Sequence, residues 1–269
     1  MTAVTIITGA SAGIGTELAR VFARNRHALV LIARRADRLN TLAAEIAAEI
    51  AAEGGHAPMV LPLDLTAPGA LARLSDALAA RGLEPQYIVN NAGFGLIGPA
   101  AALERAAQAN MIDLNVRALT ELSLAFVDSH ARQRGGLLNV ASLASFLPGP
   151  GMAVYYATKA YVLSFSEALH HELKSRGVRV SCLCPGPVPT EFAARAGAIE
   201  RSPPSLLTQS AAFVAEEGYR GLMRGKRVII PGTANKLVPF ITRIVPRRLL
   251  LAGVAARQRR RLSSPAPRT

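Results

Sequence analysis

The run V4TIITGASAGIG15, continued by T16ELARVFAR24, places three signals in succession. Val4 to Ile7 is an uninterrupted apolar segment of strand type, and Thr8 to Gly15 is a glycine-rich turn. Residues 16–24 then read as a helix. A strand that feeds a helix through such a turn is the phosphate-binding arrangement of a dinucleotide fold. In that arrangement Gly9 permits the tight turn, Gly13 lets backbone approach a pyrophosphate, and Gly15 lets helix and sheet pack closely. Thr8, Ser11, Ala12 and Ile14 complete the turn. The helix N-terminus contributes free N–H groups and the positive end of its dipole.

The same alternation continues along the chain. Short β-like runs (VTIIT, ALVLIA, APMVLPL, YIVNN, GLLNVAS, RVSCLCP and RVIIP) are separated by longer helical stretches. Residues 36–53 predict an Ala-rich surface helix, and 101–134 and 152–176 predict long ones. The pattern implies a doubly wound α/β Rossmann fold: a seven-stranded, mostly parallel sheet with helices on both faces. A chain of 269 residues, half of them hydrophobic, is large enough for one sizeable core. Residues 1–234 read as the dinucleotide-fold domain, and 235–269 as a basic, apolar-rich helical extension and tail. The first strand starts almost directly after Met1, so no leader is expected. Cys182 and Cys184, two apart on a strand, point to one side as small buried hydrophobes. That usage suits a reducing cytoplasm. The histidines show no metal-ligand spacing, so no metal is expected.

Chemistry concentrates in a second cluster. Tyr155 and Lys159 stand one helical turn apart in Y155YATK159, and Ser142 lies thirteen residues upstream at the end of a strand-like run. A phenol can give a proton to a carbonyl oxygen as hydride reaches the carbon, but its pKa near 10 is high for that work. An ammonium on the same helix face lowers it, and a serine hydroxyl can hold the substrate oxygen. Ser145 is a rival for the serine role, at the wrong spacing from Tyr155.

With N90NAG93 and P185GPVPT190, these residues resemble the short-chain dehydrogenase/reductase family in its compact single-domain form, from about Val4 to about Pro231. The resemblance implies that Asn115, in M111IDLNV116, joins Ser142, Tyr155 and Lys159 as a catalytic residue. There it would hold a water that links Lys159 to solvent. Asp64, in P62LDL65, would hold the adenine amino group with Leu65 beside it. Asn91, Ala92 and Gly93 would admit the cofactor riboses, which Lys159 also holds. Pro185, Gly186, Val188 and Thr190 would face the nicotinamide, and 189–209 would be a lid over the substrate. An NAD enzyme commonly carries a carboxylate at the end of its second strand. Here that position is Ala33, followed by Arg34 and Arg35, with Arg38 one turn on. A guanidinium suits a 2′-phosphate, so the expected cofactor is NADP(H), with Arg34 as chief phosphate ligand and Arg35 assisting.

The expected activity is interconversion of a ketone or aldehyde and an alcohol on a lipophilic small molecule. A 3-oxoacyl-thioester reductase and a non-catalytic NADPH-binding regulator stay open as alternatives. Family members pair long helices across a two-fold axis, which implies a homodimer or homotetramer.

Charge sets the C-terminal region apart. Residues 1–219 hold 18 basic and 18 acidic side chains, so the net charge of +13 belongs entirely to 220–269. From Leu237 aliphatic residues alternate with arginines, and Pro239 and Pro246 interrupt the run. It is too broken and charged to span a bilayer. Helices packed on the enzyme or on a neighbouring subunit come first. A peripheral anchor on anionic lipid, which would make the enzyme membrane-peripheral, and a dock for an acidic partner also fit. No nucleic-acid reading motif or aromatic platform is present.

Overall fold

A computed structural model of the chain describes residues 1–51, 57–129, 135–192, 196 and 206–263. Seven strands, β1 (Thr2–Thr8), β2 (Ala28–Ala33), β3 (Met59–Pro62), β4 (Leu83–Asn90), β5 (Gly136–Val140), β6 (Arg179–Leu183) and β7 (Val228–Ile229), form one sheet. The order is β3-β2-β1-β4-β5-β6-β7 and every pair is parallel. The order reverses between β1 and β4, and a crevice at that switch point, at the strands' C-terminal ends, is where such sheets bind ligands.

Strands covered on both faces must be apolar on both. Ile7, Leu29, Leu31, Val89 and Leu138 meet helices α1 (Ile14–Arg24), α2 (Ala36–Ile50) and the helix Ala211–Met223. The alternate residues Ile6, Val30, Ile32, Ile88 and Leu137 meet α3 (Ala70–Ala79), α5 (Leu119–Ser129) and α6 (Ala153–Leu173). Leu18 and Phe22 of α1 and Leu122 and Phe126 of α5 are the helical halves of these two cores.

Helix limits differ from expectation for local reasons. The helix expected over 101–134 begins at Arg105, after a turn in which Ala102 and Leu103 donate to the Pro99 carbonyl. It runs as α4 (Arg105–Ile112), passes through a π-helical turn Asp113–Ala118 and continues as α5. Residues 130–134 lie outside the described set. α6 gives way after Leu173 to one 3-10 turn, which stops where Gly177 turns left-handed at φ 72°. Most of the expected lid, 193–195 and 197–205, is likewise outside the described residues.

Cys182 and Cys184 are buried and unbridged, with their sulfurs 3.8 Å apart on one side of β6. Beyond β7 come two helices, Leu237–Ile244 and Arg247–Ser263. They are separated by the extended Val245 and by Pro246. The first of them packs beside the turn Leu143–Phe146. No helix among the described residues is long and apolar enough to cross a membrane.

Candidate active site

The turn after β1 is built around missing side chains. Gly9 has φ +66°, and a Cβ there would lie 2.8 Å from the Ala92 Cα. A Cβ on Gly15 would lie 2.2 Å from the Gly9 carbonyl oxygen. Gly13 caps α1 with φ 59° and offers no side chain to its first-turn N–H groups. These glycines thus leave backbone donors at a helix N-terminus, which fits the pyrophosphate of a dinucleotide.

Thr8 holds this turn to the end of β4. Its hydroxyl accepts from the Asn91 and Ala92 N–H groups, each at 3.0 Å, and donates to the Val89 carbonyl at 3.2 Å. That fills the hydroxyl's bonding capacity, so Thr8 positions the loop rather than offering its side chain to a ligand. The Asn91 amide donates to the Thr8 and Gly9 carbonyls at 3.0 and 3.2 Å, a positioning role as well.

The reacting groups come from β5, α6 and the π turn. Ser142 caps the turn Leu143–Phe146, its Oγ accepting from the Ala144 N–H at 3.1 Å. Its hydroxyl faces the Tyr155 phenol. Lys159, one turn along α6, is buried and donates to the Val140 carbonyl at 2.8 Å. Asn115 is fully buried in the π turn. Its Oδ1 accepts from the Phe94 N–H at 3.1 Å, and its Nδ2 donates to the Phe94 carbonyl at 2.9 Å and to Thr158 Oγ1 at 3.1 Å. A Cβ on Gly93 would sit 2.9 Å from Asn115 Oδ1 and 3.4 Å from Lys159 Nζ, so glycine lets these groups converge. Ser145, the rival serine, donates its hydroxyl to the Lys159 carbonyl at 2.7 Å. It braces α6.

The electrostatics overturn one expectation. Burial pushes the Tyr155 phenol up to about 12, while the Ser142 hydroxyl pulls it back. Burial also pushes the Lys159 ammonium down to about 8, against the pull of the Cys182 and Cys184 thiols. The lysine was expected to lower the phenol's pKa. Its Nζ stands 6.0 Å from the ring centroid, and both groups have lost their water. Desolvation of the phenolate outweighs attraction at that range.

At the other end of the crevice the arginines separate. Arg34 is largely exposed and lies 3.8 Å from Asp64. Burial acts to raise the Asp64 pKa, but hydrogen bonds from the Thr66 N–H and hydroxyl and the charges of Arg34 and Arg73 hold it below the usual value. Arg35, expected only to assist, is the better held: its Nη2 donates to the Ser11 carbonyl and hydroxyl, each at 3.2 Å. Ala12 is half-buried, Ile14 and Val188 pack partly against the core, and Leu65 leans on the opposite core. The Pro185 carbonyl accepts from the Leu143 N–H at 2.9 Å, and Gly186 lets the chain pass the Leu207 carbonyl. The Thr190 methyl reaches to 3.0 Å from where a Gly13 Cβ would stand.

Two residues at this site were not anticipated. Glu191 pairs with Arg35 and Arg38, and the Phe192 ring lies 5.4 Å from the Tyr155 ring. Both fall within the expected lid 189–209 without a role of their own there, because their side-chain partners at 35, 38 and 155 are distant in sequence.

Residues 3–200 match the family model described as short chain dehydrogenase. Serine 3-dehydrogenase of Agrobacterium fabrum is 33% identical over 193 residues, 71% of this chain and 74% of that protein. A short-chain dehydrogenase from Sphingobium yanoikuyae, solved in complex with NADPH, is similar with a TM-score of 0.78 and 31% identity. That match covers 100% of this chain and 98% of the other. The bulky-bulky ketone specific alcohol dehydrogenase from Comamonas testosteroni has a TM-score of 0.74 at 28% identity, covering 100% and 97% of the two chains. Fold, family match and relatives agree: the chain belongs to the short-chain dehydrogenase family and is an oxidoreductase that interconverts carbonyl and alcohol groups with a nicotinamide cofactor.

Proposed function

We propose that this enzyme prefers NADP(H) and acts on a lipophilic ketone or aldehyde and its alcohol. Convergence of Ser142 and Tyr155 beside the buried Lys159 carries the reading. The cofactor, when bound, supplies or takes up the hydride. Ser142 and Tyr155 hold the substrate oxygen by their hydroxyls, which polarises the carbonyl. Tyr155 gives that oxygen its proton, and the Lys159 charge stabilises the phenolate left behind. Asn115, clamped to both polar groups of Phe94, keeps the loop 91–94 against Lys159. Gly9, Gly13 and Gly15 admit the pyrophosphate, and Lys159 holds a ribose.

Two observations support the finer parts. Phe94, Leu96, Ile97, Met152, Val154, Tyr156 and Phe192 surround Tyr155 with apolar surface, which suits a lipophilic substrate. Ala33 ends β2 where a carboxylate would stand, and Arg34 and Arg35 follow it directly, which favours a 2′-phosphate. Neither the thioester reductase nor the regulator reading is favoured over this one. Exposed Ile112, Leu124 and Tyr161 on α4, α5 and α6 are apolar surface of the kind a subunit interface covers, and support a homo-oligomer. For the C-terminal region, exposed Leu237, Phe240, Ile241 and Ile244, in a segment that has arginines and no carboxylate of its own, favour peripheral contact with anionic lipid.

NADPH consumption over 3-oxoacyl thioesters, steroid ketones and small carbonyls tests the assignment. Tyr155→Phe should keep fold and cofactor affinity and lose turnover by at least about a hundredfold. A variant of undiminished rate would refute the role of Tyr155. Comparable affinities for NADPH and NADH would refute the cofactor preference.

A further inference from the structure

Glu191 has no part in the chemistry described above, yet its two carboxylate oxygens are divided between two arginines. Oε2 accepts from Arg35 Nη1 at 2.9 Å, and Oε1 accepts from Arg38 Nη1. Arg35 reaches the glycine-rich turn at the same time, through the carbonyl and hydroxyl of Ser11. The residue before Glu191, Thr190, packs on Gly13, and the residue after it, Phe192, packs on Tyr155. The segment 190–192 therefore joins the adenosine end of the crevice to its reacting end.

The side chains that Glu191 holds stand just past β2, where a 2′-phosphate would be read. A guanidinium presents the same donor fork to a carboxylate and to a phosphate, so one set of arginines attracts both. Two anions at that set repel each other. We propose that Glu191 is a specificity-determining residue whose carboxylate competes with the 2′-phosphate of NADP(H) for Arg35 and Arg38. The proposal rests on the NADP(H) reading. NADP(H) then binds in exchange for the Glu191 ion pairs, whereas NAD(H), which has no 2′-phosphate, leaves them intact. Glu191 thereby narrows the gap in affinity between the two cofactors. Arg38 first and Arg35 second hold the Glu191 carboxyl below its usual pKa, so the competitor stays charged at neutral pH.

Equilibrium titration of the full chain with NADPH, NADH, 2′,5′-ADP and 5′-AMP tests this. The chain contains no Trp, which leaves the nicotinamide emission clear of indole background. Glu191→Gln should bind NADPH and 2′,5′-ADP about three- to tenfold more tightly, while NADH and 5′-AMP change less than about twofold. Adding Arg35→Ala should abolish most of the gain, because the residue competed for is then gone. NADPH affinity that is unchanged or weaker in Glu191→Gln, with the wild-type NADPH preference intact, overturns the competition alone. Wild-type affinities that are equal for NADPH and NADH, and insensitive to Arg34→Ala and Arg35→Ala, overturn the NADP(H) reading and the competition with it.

Discussion

Lys159 gives up its water when α6 docks, and its proton affinity falls with it, to a pKa of about 8 from the ordinary 10.5. Between those two values the folded state holds fewer protons than the unfolded chain. Stability therefore rises with pH across that window, and the penalty for burying the ammonium is fully present below about 8. A difference of this size corresponds to about 3 kcal/mol. Urea unfolding of wild type and Lys159→Met at pH 7.5, 9 and 10.5 should show wild type gaining on the variant by roughly that amount. Tyr155, raised by burial, and Cys184, raised first by its hydrogen bond with Cys182 and then by burial, lose stability as pH climbs in both proteins, so the comparison with the variant offsets their common part. A constant difference would mean that Lys159 titrates normally. Such shifts could not be read from Y155YATK159, because spacing shows adjacency but not burial. The spacing did indicate that Tyr155, Lys159 and Ser142 would share one place. Glu191 and Phe192 were illegible for another reason: their partners at 35, 38 and 155 come from the other end of the sheet or the far side of the crevice.

The elements were largely legible because strands buried on both faces must be continuous apolar runs. ALVLIA is β2 residue for residue, and the other six runs fall on the other six strands with shifted ends. The π turn at Asp113–Ala118 was not legible: an Asn in a helix signals poor propensity but not which hydrogen-bond pattern accommodates it. Glycines show how context sets the sign of one substitution. In α1, a Cβ on Gly15 would lie 2.2 Å from the Gly9 oxygen and 2.5 Å from the Asn91 amide nitrogen. Gly15→Ala must push the turn off the helix, which should cost about 1–3 kcal/mol and weaken cofactor binding. Gly253 is exposed in the helix Arg247–Ser263 and has nothing within 4 Å of the same position. Gly253→Ala should stabilise by about 0.5–1 kcal/mol, through backbone entropy alone. Urea midpoints that move the same way for both variants would contradict the packing at Gly15.

On the scale of the whole molecule, the body is neutral and the last fifth carries all of the charge. No acidic residue follows Glu217, so arginines 243, 247 and 248 have no carboxylate from their own segment to pair with. The helix Leu237–Ile244 is two-sided: it packs beside Leu143–Phe146, one residue from Ser142, and exposes Leu237, Phe240, Ile241 and Ile244. That spacing of three and four residues draws one apolar stripe along a helix, and Lys236 and Arg243 fall along one flank of it. An apolar stripe edged by cations is the form of a helix that lies in a membrane interface. Each basic side chain near an anionic surface adds about 1 kcal/mol, so binding should depend on lipid charge and fall with salt. The full chain should sediment with vesicles of phosphatidylglycerol and phosphatidylcholine but not with phosphatidylcholine alone. The double variant Phe240→Glu, Ile244→Glu should stay in the supernatant with turnover of a water-soluble substrate retained. If it instead changes the oligomeric mass while neither protein sediments, the stripe packs on a neighbouring subunit. Its position beside the Ser142 turn gives the lipid reading a functional consequence: a lipophilic carbonyl leaving the bilayer would meet the enzyme close to Tyr155.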